Sequence, residues 1–181
     1  MSTNTDTLRG PSFSLQNRLL RFIWQWVWVM FFYITPRPFH AWRAFLLRIF
    51  GAQLKEGCHV YPTVRIWAPW NLKMGSHSCL GEGTKVYNQA MITLGDSVVV
   101  SQFCHLCTGT HDYRQAGFPL MTYPIHIEDH VWVAADSFIG PGVRIGHGSV
   151  VGARSVVMRD LPAHHICVGH PCRAIKPREG C

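Results

Sequence analysis

Residues 127–157 read IEDHVW VAADSF IGPGVR IGHGSV VGARSV V when they are divided into groups of six, and an aliphatic residue opens every group. Glycine often follows that residue, and a small or β-branched residue stands four places after it. A period of six fits neither the roughly 3.6-residue turn of an amphipathic helix nor the alternation of a long strand. It predicts a solenoid of very short parallel strands, each of which points one aliphatic side chain inward before the chain turns.

The same period runs through the middle of the chain in shifted phases. The aliphatic positions of the earlier blocks are Leu54, Val60, Ile66 and Leu72, then Met74, Leu80, Val86 and Ile92, then Leu94, Val100 and Leu106. Each change of phase is a small insertion between intact runs, and the glycines occupy places where a tight corner needs a permissive backbone. The fold class predicted for residues 51–168 is therefore an all-β solenoid.

Length and charge restrict the function. A chain of 181 residues is one domain with a short appendage, and its formal net charge of +7 suits nucleic acid, an anionic membrane or a phosphate-bearing ligand. No basic run with interleaved aromatic residues and no zinc-finger spacing occurs, so nucleic acid is not an expected partner. A phosphorylated cofactor together with a membrane surface explains the charge better.

The seven cysteines do not form a disulfide pattern. Their number is odd, their spacing is irregular, and no cleavable signal peptide is recognisable. We therefore expect a cytoplasmic, reducing location. The Cys104–Cys107 pair lies inside the repeat and has no second pair to complete a metal site, which favours two small buried residues over a metal or redox function.

The front of the chain has a different composition. Five of the seven tryptophans fall early in the chain, and residues 18–50 predict an amphipathic helical hairpin that a Thr-Pro-Arg-Pro stretch interrupts. Its uncharged stretch, residues 22–34, is too short for a bilayer span, which needs about 20 residues. Two interpretations stay open: an element lying on the inner face of an anionic membrane, or a hairpin packed on the solenoid or on a neighbouring subunit.

Residues 1–17 are expected to be a flexible N-terminus and residues 169–181 a basic C-terminal tail.

Several stretches together resemble one known family. They are PWNL at 69–72, VSQ at 100–102, LCTGTHDY at 106–113, VWVA at 131–134, PGVRIG at 141–146 and GHPCRAIK at 169–176. These stretches are similar to the hexapeptide-repeat acyltransferases, whose fold is a left-handed parallel β-helix, and among them to the colanic-acid-type polysaccharide O-acetyltransferases. The resemblance implies acetyl-coenzyme A as co-substrate, no required metal, and a homotrimer whose active sites lie between subunits.

The resemblance also implies a reaction. Such an enzyme moves an acetyl group from acetyl-coenzyme A to a hydroxyl of a sugar in a polysaccharide or glycolipid precursor, with a histidine as general base. N-acetylation of an amino sugar and a non-catalytic β-helix scaffold stay open as alternatives. The γ-class carbonic anhydrases share the fold and hold zinc with three histidines, but the histidine spacing here does not match theirs.

His111 is the candidate general base. The six-residue period stops there, and residues 112–124 leave the predicted solenoid as a loop, so His111 stands at the root of a loop on a rigid scaffold. The resemblance aligns it with the family's catalytic histidine. The resemblance also implies that Asn88 contacts the acceptor, and we expect Asp112 and Tyr113 to contact it as well. Asp112 is also a candidate for orienting the imidazole, although adjacent residues of an extended segment point apart.

A second group of residues is expected at the cofactor. Its members are Trp132, Ala134, Gly152, Ala153, Arg173 and Lys176. The tryptophan points outward by the hexapeptide count, and the resemblance places it in the cleft between subunits. The small residues would give the pantetheine arm a smooth groove. The two cations are implied to meet the cofactor's phosphates, and the alternative for them is a solvated, frayed terminus.

Overall fold

The computed structural model describes residues 12–179, in which a helical segment precedes a long series of short strands. The helices are α1 (Leu15–Val27), which continues as a π-helical turn over Trp28–Tyr33, and α2 (His40–Ile49). The first strands are β1 (Gln53–Leu54), β2 (His59–Val60), β3 (Arg65–Ile66), β4 (Leu72–Met74), β5 (Cys79–Leu80), β6 (Lys85–Tyr87), β7 (Ile92–Leu94), β8 (Val99–Val100) and β9 (His105–Cys107). The others are β10 (Gly109–His111), β11 (Leu120–Thr122), β12 (Ile125–Ile127), β13 (Trp132–Val133), β14 (Phe138–Ile139), β15 (Arg144–Ile145), β16 (Val150–Val151), β17 (Val156–Val157), β18 (His165–Gly169) and β19 (Cys172–Pro177).

Three sheets form the faces of the solenoid. Their strand orders are β1-β4-β7-β12-β15 in sheet A, β2-β5-β8-β13-β16-β18-β19 in sheet B and β3-β6-β9-β14-β17 in sheet C. The chain visits A, B and C in turn, and strands pair in parallel from coil to coil until the closing antiparallel β18–β19 pair. The protein is a parallel β-solenoid of about six turns with the architecture of the predicted left-handed β-helix.

The aliphatic residues that open each group of six form the core. Those on sheet B stack as a fully buried column of Val60, Leu80, Val100, Val133 and Val151. The small residues beside such columns are buried too, and their hydroxyls satisfy backbone carbonyls of the next coil. Ser78 donates to the carbonyl oxygen of Gly95 and Ser149 to that of Pro162, each at 2.6 Å. The repeat therefore specifies both the apolar core and its internal hydrogen bonds.

All insertions into the solenoid fall at one corner, between sheet C and sheet A. Where the period is unbroken, His126 pairs with Arg144, so that one coil takes 18 residues. Earlier coils take 20 residues, as the pairing of Gln53 with Lys73 shows. The coil that carries β10 and β11 is the longest, and the chain leaves the solenoid there and returns at β12. The two other corners keep the six-residue spacing.

One face of the helical hairpin packs on the first coil. The indoles of Trp24 and Trp28 are buried and donate hydrogen bonds to the carbonyl oxygens of Ile66 and Val64, at 2.7 and 2.8 Å. This face covers the first strands of the solenoid, whose backbone groups have no preceding coil to pair with. The interpretation of the hairpin as a packing element is confirmed for this face.

The helical segment begins earlier than predicted. The Ser14 hydroxyl accepts a hydrogen bond from the backbone N–H of Asn17 at 3.2 Å and caps α1, so residues 15–17 are helical and not part of a flexible N-terminus. Residues 1–11 of that predicted segment lie outside the described residues. Among residues 12–179, no helix combines the length and apolar character that crossing a bilayer requires.

Residues 172–177 of the predicted basic tail form strand β19, and residues 180–181 lie outside the described residues. β19 pairs with β18 and adds the last strand to sheet B, and beyond it Arg178 Nη1 donates to the carbonyl oxygen of Gly148 at 2.8 Å. The boundary predicted at residue 168 is therefore wrong. The six-residue period ends before this segment, and its structure depends on pairing with a neighbouring strand.

Candidate active site

The segment predicted to leave the solenoid as a loop is a β-hairpin. β10 and β11 pair antiparallel, and His111 lies opposite Leu120 at the end of this ladder. The imidazole is exposed, and its Nδ1 atom lies 2.6 Å from the carbonyl oxygen of Phe118. The hairpin therefore carries His111 at the end of β10, and its Phe118 carbonyl also fixes the position of the imidazole ring.

The Phe118 carbonyl determines which imidazole nitrogen can act as a base. A carbonyl oxygen only accepts hydrogen bonds, so this contact assigns the proton of the neutral ring to Nδ1 and leaves the lone pair on Nε2. The same carbonyl supports the positive charge that the ring acquires when Nε2 takes up a proton. His111 thus has the tautomer and the backbone support that a general base requires.

Asp112 does not orient this imidazole. Its Oδ1 atom accepts from the backbone N–H of Arg114 at 3.0 Å, and its Oδ2 atom accepts from Gln115 Nε2 at 2.8 Å. The carboxylate therefore organises the turn of the hairpin, and the geometry offers no support for its predicted contact with the acceptor. Tyr113 is 76% exposed at the same turn, and its contact with the acceptor stays a prediction.

The assignment of Asn88 to the acceptor is wrong. Its side chain is fully buried. Oδ1 accepts from the backbone N–H of Ala68 at 3.0 Å, and Nδ2 donates to the carbonyl oxygens of Ala68 and Asn71 at 2.7 and 3.0 Å. Asn88 joins two coils at the corner between sheets C and A, and the motif alone could not show that its side chain points inward.

The residue that follows Asn88 does face His111. Side chains alternate along an extended segment, and Gln89 lines a depression of about 290 Å³ together with His111, Tyr87 and Leu120. Gln89 Nε2 donates a hydrogen bond to the Tyr87 hydroxyl at 3.0 Å, whereas Gln89 Oε1 is buried and lacks a hydrogen-bond partner among the described residues. Neither Gln89 nor Tyr87 was predicted from the sequence, although the alternation of side chains next to Asn88 was a usable signal.

The residues assigned to the cofactor lie largely on another face, sheet B. Trp132 is 48% exposed, as the hexapeptide count predicts, and its indole N–H donates to Ser101 Oγ at 3.0 Å. In the strand register Trp132 stands beside Val150, Val150 beside Ile166, and Ile166 beside Lys176. Trp132 and Lys176 are therefore the ends of one row, three strand spacings or about 14 Å apart.

The remaining residues of this group differ in accessibility. Arg173 is exposed on β19, and Ala153 is exposed at the corner between sheets B and C. A Cβ atom at Gly152 would lie 2.7 Å from Val168 Cγ1, so glycine keeps this surface smooth. Ala134 is only 8% exposed, and its assignment to the cofactor stays a prediction.

A single chain does not bring the two groups together. His111 leaves the solenoid at the corner between sheets C and A. Trp132 and Lys176 lie on sheet B, the face opposite that corner. The base and the expected cofactor surface are two half-sites on one chain.

Of the two cysteines predicted to be buried, Cys104 is fully buried and Cys107 only partly. Cys104 is buried, its thiol donates to the carbonyl oxygen of Ala134, and burial raises the pKa of the thiol to about 11. A thiol with such a pKa stays protonated at neutral pH and is a poor metal ligand or nucleophile. Cys107 is half-buried. In the part of the chain from residue 12 to residue 179, no three His, Cys, Asp or Glu side chains are grouped to hold a metal ion.

Comparison with known proteins agrees with this architecture. The family described as bacterial transferase hexapeptide (six repeats) matches residues 124–159. A protein of Escherichia coli (strain K12) described as a colanic acid biosynthesis acetyltransferase, WcaF, is 41% identical over 156 residues, which are 86% of this chain and 86% of that protein. The galactoside O-acetyltransferase of the same strain is 31% identical over 74% of this chain and 68% of its own length.

A solved structure extends the comparison to a ligand complex. A hexapeptide-repeat-containing acetyltransferase from Vibrio cholerae, complexed with acetyl-coenzyme A, superposes with a TM-score of 0.82 at 28% identity. The alignment covers 94% of this chain and 93% of that one. With the repeat, the fold and the extent of sequence identity in agreement, this chain belongs to the hexapeptide-repeat acetyltransferase family.

Proposed function

We propose that this acetyltransferase moves an acetyl group from acetyl-coenzyme A to a hydroxyl of a sugar in a polysaccharide or glycolipid precursor, with His111 as general base. The observation that carries the proposal is the 2.6 Å contact between His111 Nδ1 and the Phe118 carbonyl oxygen, which leaves Nε2 as the basic atom. The relatives named for colanic acid biosynthesis and for galactoside acetylation support a sugar as the acceptor.

His111 would act twice in the reaction. An alcohol is a weak nucleophile at neutral pH, so Nε2 takes the hydroxyl proton as the oxygen attacks the thioester carbonyl carbon. The C–S bond then breaks, and the imidazolium returns its proton to the departing thiolate sulfur. Phe118 holds the ring in place throughout, because its carbonyl oxygen accepts from Nδ1 in both protonation states.

The product distinguishes this proposal from its alternatives. The protein is incubated with acetyl-labelled acetyl-coenzyme A and fractionated cell glycans, and the labelled products are treated with mild base. Release of the label indicates an O-acetyl ester, whereas retention indicates an N-acetyl amide. Amine attack also requires loss of a proton, so His111 could serve either reaction. Absence of any labelled glycan would favour the non-catalytic scaffold.

The separation of the half-sites favours an active site that two subunits share. We propose a homotrimer in which Trp132 of one subunit faces the His111 hairpin of its neighbour. The expected cofactor surface on sheet B then meets a base from another copy of the chain. An isolated chain would lack a complete site.

Mixing two impaired variants tests this arrangement. His111→Ala lacks the base and Trp132→Ala weakens the cofactor surface, but a mixed trimer contains interfaces with both wild-type side chains. Random mixing at equal amounts should restore about a quarter of the sites. The measurement is turnover at low acetyl-coenzyme A concentration after co-expression, with separately purified and unmixed variants as controls. No recovery, or an active monomer in sedimentation, would contradict the shared site.

The helical hairpin has a second, outward surface, which we name the outer face: Phe22, Trp26, Phe31, Trp42 and Phe45. These side chains are 40–61% exposed. Residues 12–55 contain six Arg and Lys and no Asp or Glu, so the electrostatics favour an anionic partner. Exposed aromatic residues with surrounding cations are typical of elements that lie in the interface of an anionic bilayer. We propose that the outer face binds the inner surface of the cytoplasmic membrane.

Substitutions on the outer face test membrane binding without unfolding the hairpin. Changing Trp26, Phe31 and Phe45 together to serine should weaken binding to phosphatidylserine vesicles by about tenfold or more, because less apolar surface enters the interface. Vesicle co-sedimentation measures the effect. Phe103→Ser is the matched control, since Phe103 is 60% exposed but lies on the solenoid. Equal binding by wild type and the triple variant would contradict the proposal.

A further inference from the structure

The depression beside His111 has a wall that the proposed reaction does not yet use. Helix α1 and the residues just before it contribute Phe13, Arg18 and Arg21 to its lining, along with Ser12. No Asp or Glu belongs to the described lining. Two guanidinium groups therefore stand next to the candidate base in a site without a carboxylate.

Neighbouring aromatic rings hold the Arg21 side chain in place. Its guanidinium carbon lies 4.2 Å from the ring centroid of Trp67 and 5.4 Å from that of Phe13, and Nε donates to Asn17 Oδ1 at 2.9 Å. Neither Nη atom has a hydrogen-bond partner among the described residues. The aromatic and amide contacts thus fix the group while leaving its two terminal nitrogens available to bind a ligand.

Among the described residues, no Asp or Glu forms an ion pair with Arg18 or Arg21. Burial lowers the pKa of Arg21; the nearby Tyr87 hydroxyl partly opposes this effect, and repulsion from Arg18 adds to it. By contrast, Arg37 pairs with Glu82 at 2.8 Å, and Arg144 pairs with Glu128. Arg21 is half-buried whereas Arg18 is exposed, so an anion bound between them would offset the charge of Arg21 where solvent reaches it least.

We propose that Arg18 and Arg21 form an anion subsite for the acceptor. The sugar that is acetylated would then carry a phosphate or carboxylate group near the reacting hydroxyl. Arginine binds both groups through paired N–H donors, so the subsite would place the hydroxyl at His111 by holding the neighbouring anion. The role of the subsite in catalysis rests on the proposed function, but its ability to bind an anion does not.

Binding is tested first, without turnover. Isothermal titration of the full-length protein compares glucose 1-phosphate, glucuronic acid and the neutral methyl glucoside. At least one of the anionic sugars should bind more tightly than the neutral one, and Arg18→Gln and Arg21→Gln should each weaken that binding by about tenfold. Arg21→Lys keeps the charge and should lose less affinity. Arg37→Gln is the control, because it removes an equally positive side chain from the same hairpin.

Turnover then separates this inference from the proposed function. With an anionic acceptor, the Arg18 and Arg21 variants should raise the acceptor KM while leaving the acetyl-coenzyme A KM unchanged. Anion binding that disappears in these variants, without acetyl transfer to any sugar, would support the subsite and overturn the proposed function. Preference for the phosphate or for the carboxylate would identify the anion. Equal binding of charged and neutral sugars, or anion binding unaffected by the Arg18 and Arg21 variants, would overturn the inference.

Discussion

Replacing His111 by alanine is expected to lower kcat by about 10²–10⁴, the range for loss of a positioned acid–base group. The variant keeps the depression but loses the basic nitrogen that the Phe118 carbonyl leaves available on the ring. The KM for acetyl-coenzyme A should change little, because the expected cofactor surface lies on sheet B. Steady-state kinetics, with sedimentation to establish that the assembly is intact, measure both quantities.

Two further variants show whether the loss is specific to the base. His105→Ala is the nearest histidine control: His105 is half-buried against Phe138, with ring centroids 5.4 Å apart, and burial lowers the pKa of its imidazole. Arg173→Ala should have the opposite kinetic effect, with a higher KM for acetyl-coenzyme A and an almost unchanged kcat. Full activity of His111→Ala together with loss of activity in folded His105→Ala would show that the wrong base has been assigned.

Replacing Arg43 by methionine is expected to lower the free energy of unfolding by about 3–5 kcal/mol. Arg43 is fully buried, and its guanidinium joins the helical hairpin to the first coil. Nε donates to the carbonyl oxygen of Val60 at 2.6 Å, while Nη1 donates to Thr35 Oγ1 at 2.7 Å and to the Pro36 carbonyl oxygen at 2.9 Å. Methionine fills part of the volume but removes these hydrogen bonds, and of the three acceptors the Pro36 carbonyl oxygen keeps a donor, the backbone N–H of Phe39.

Urea unfolding at a fixed protein concentration measures the loss, because association contributes to the stability of an oligomer. Arg37→Met is the matched control. Its guanidinium is exposed and makes a surface ion pair with Glu82, so its removal should change the free energy of unfolding by less than about 1 kcal/mol. A similar loss in both variants would show that Arg43 has no special structural role.

Much of the solenoid was predictable because its coils follow a local rule. An aliphatic residue at every sixth position predicts which side chains enter the core, and Val133, Ile139 and Val151 are all fully buried. The shifts of phase predict insertions, and the structure places them all at the corner between sheets C and A. The exposure of Trp132 follows from the same count.

The orientation of individual site residues was less predictable. Asn88 matches a binding motif, yet its side-chain amide forms hydrogen bonds with backbone groups of the preceding coil. Gln89, which no motif indicated, lines the depression instead. Asp112 follows His111 directly, but it bonds within the turn while a carbonyl seven residues away holds the imidazole. Residue type and spacing do not specify which of several nearby polar groups completes each hydrogen bond.

The sequence by itself determined the repeating coil, its inward columns and the position of His111 where the repeat stops. Tertiary structure decided how distant segments meet: β19 joins sheet B, placing Lys176 in the row of Trp132, and α1 brings Arg18 and Arg21 to the depression beside His111. The physical reason is that a six-residue period fixes side-chain direction within a coil. Contacts between coils, helices and the hairpin depend instead on stacking, packing and hydrogen bonds between residues far apart in the chain.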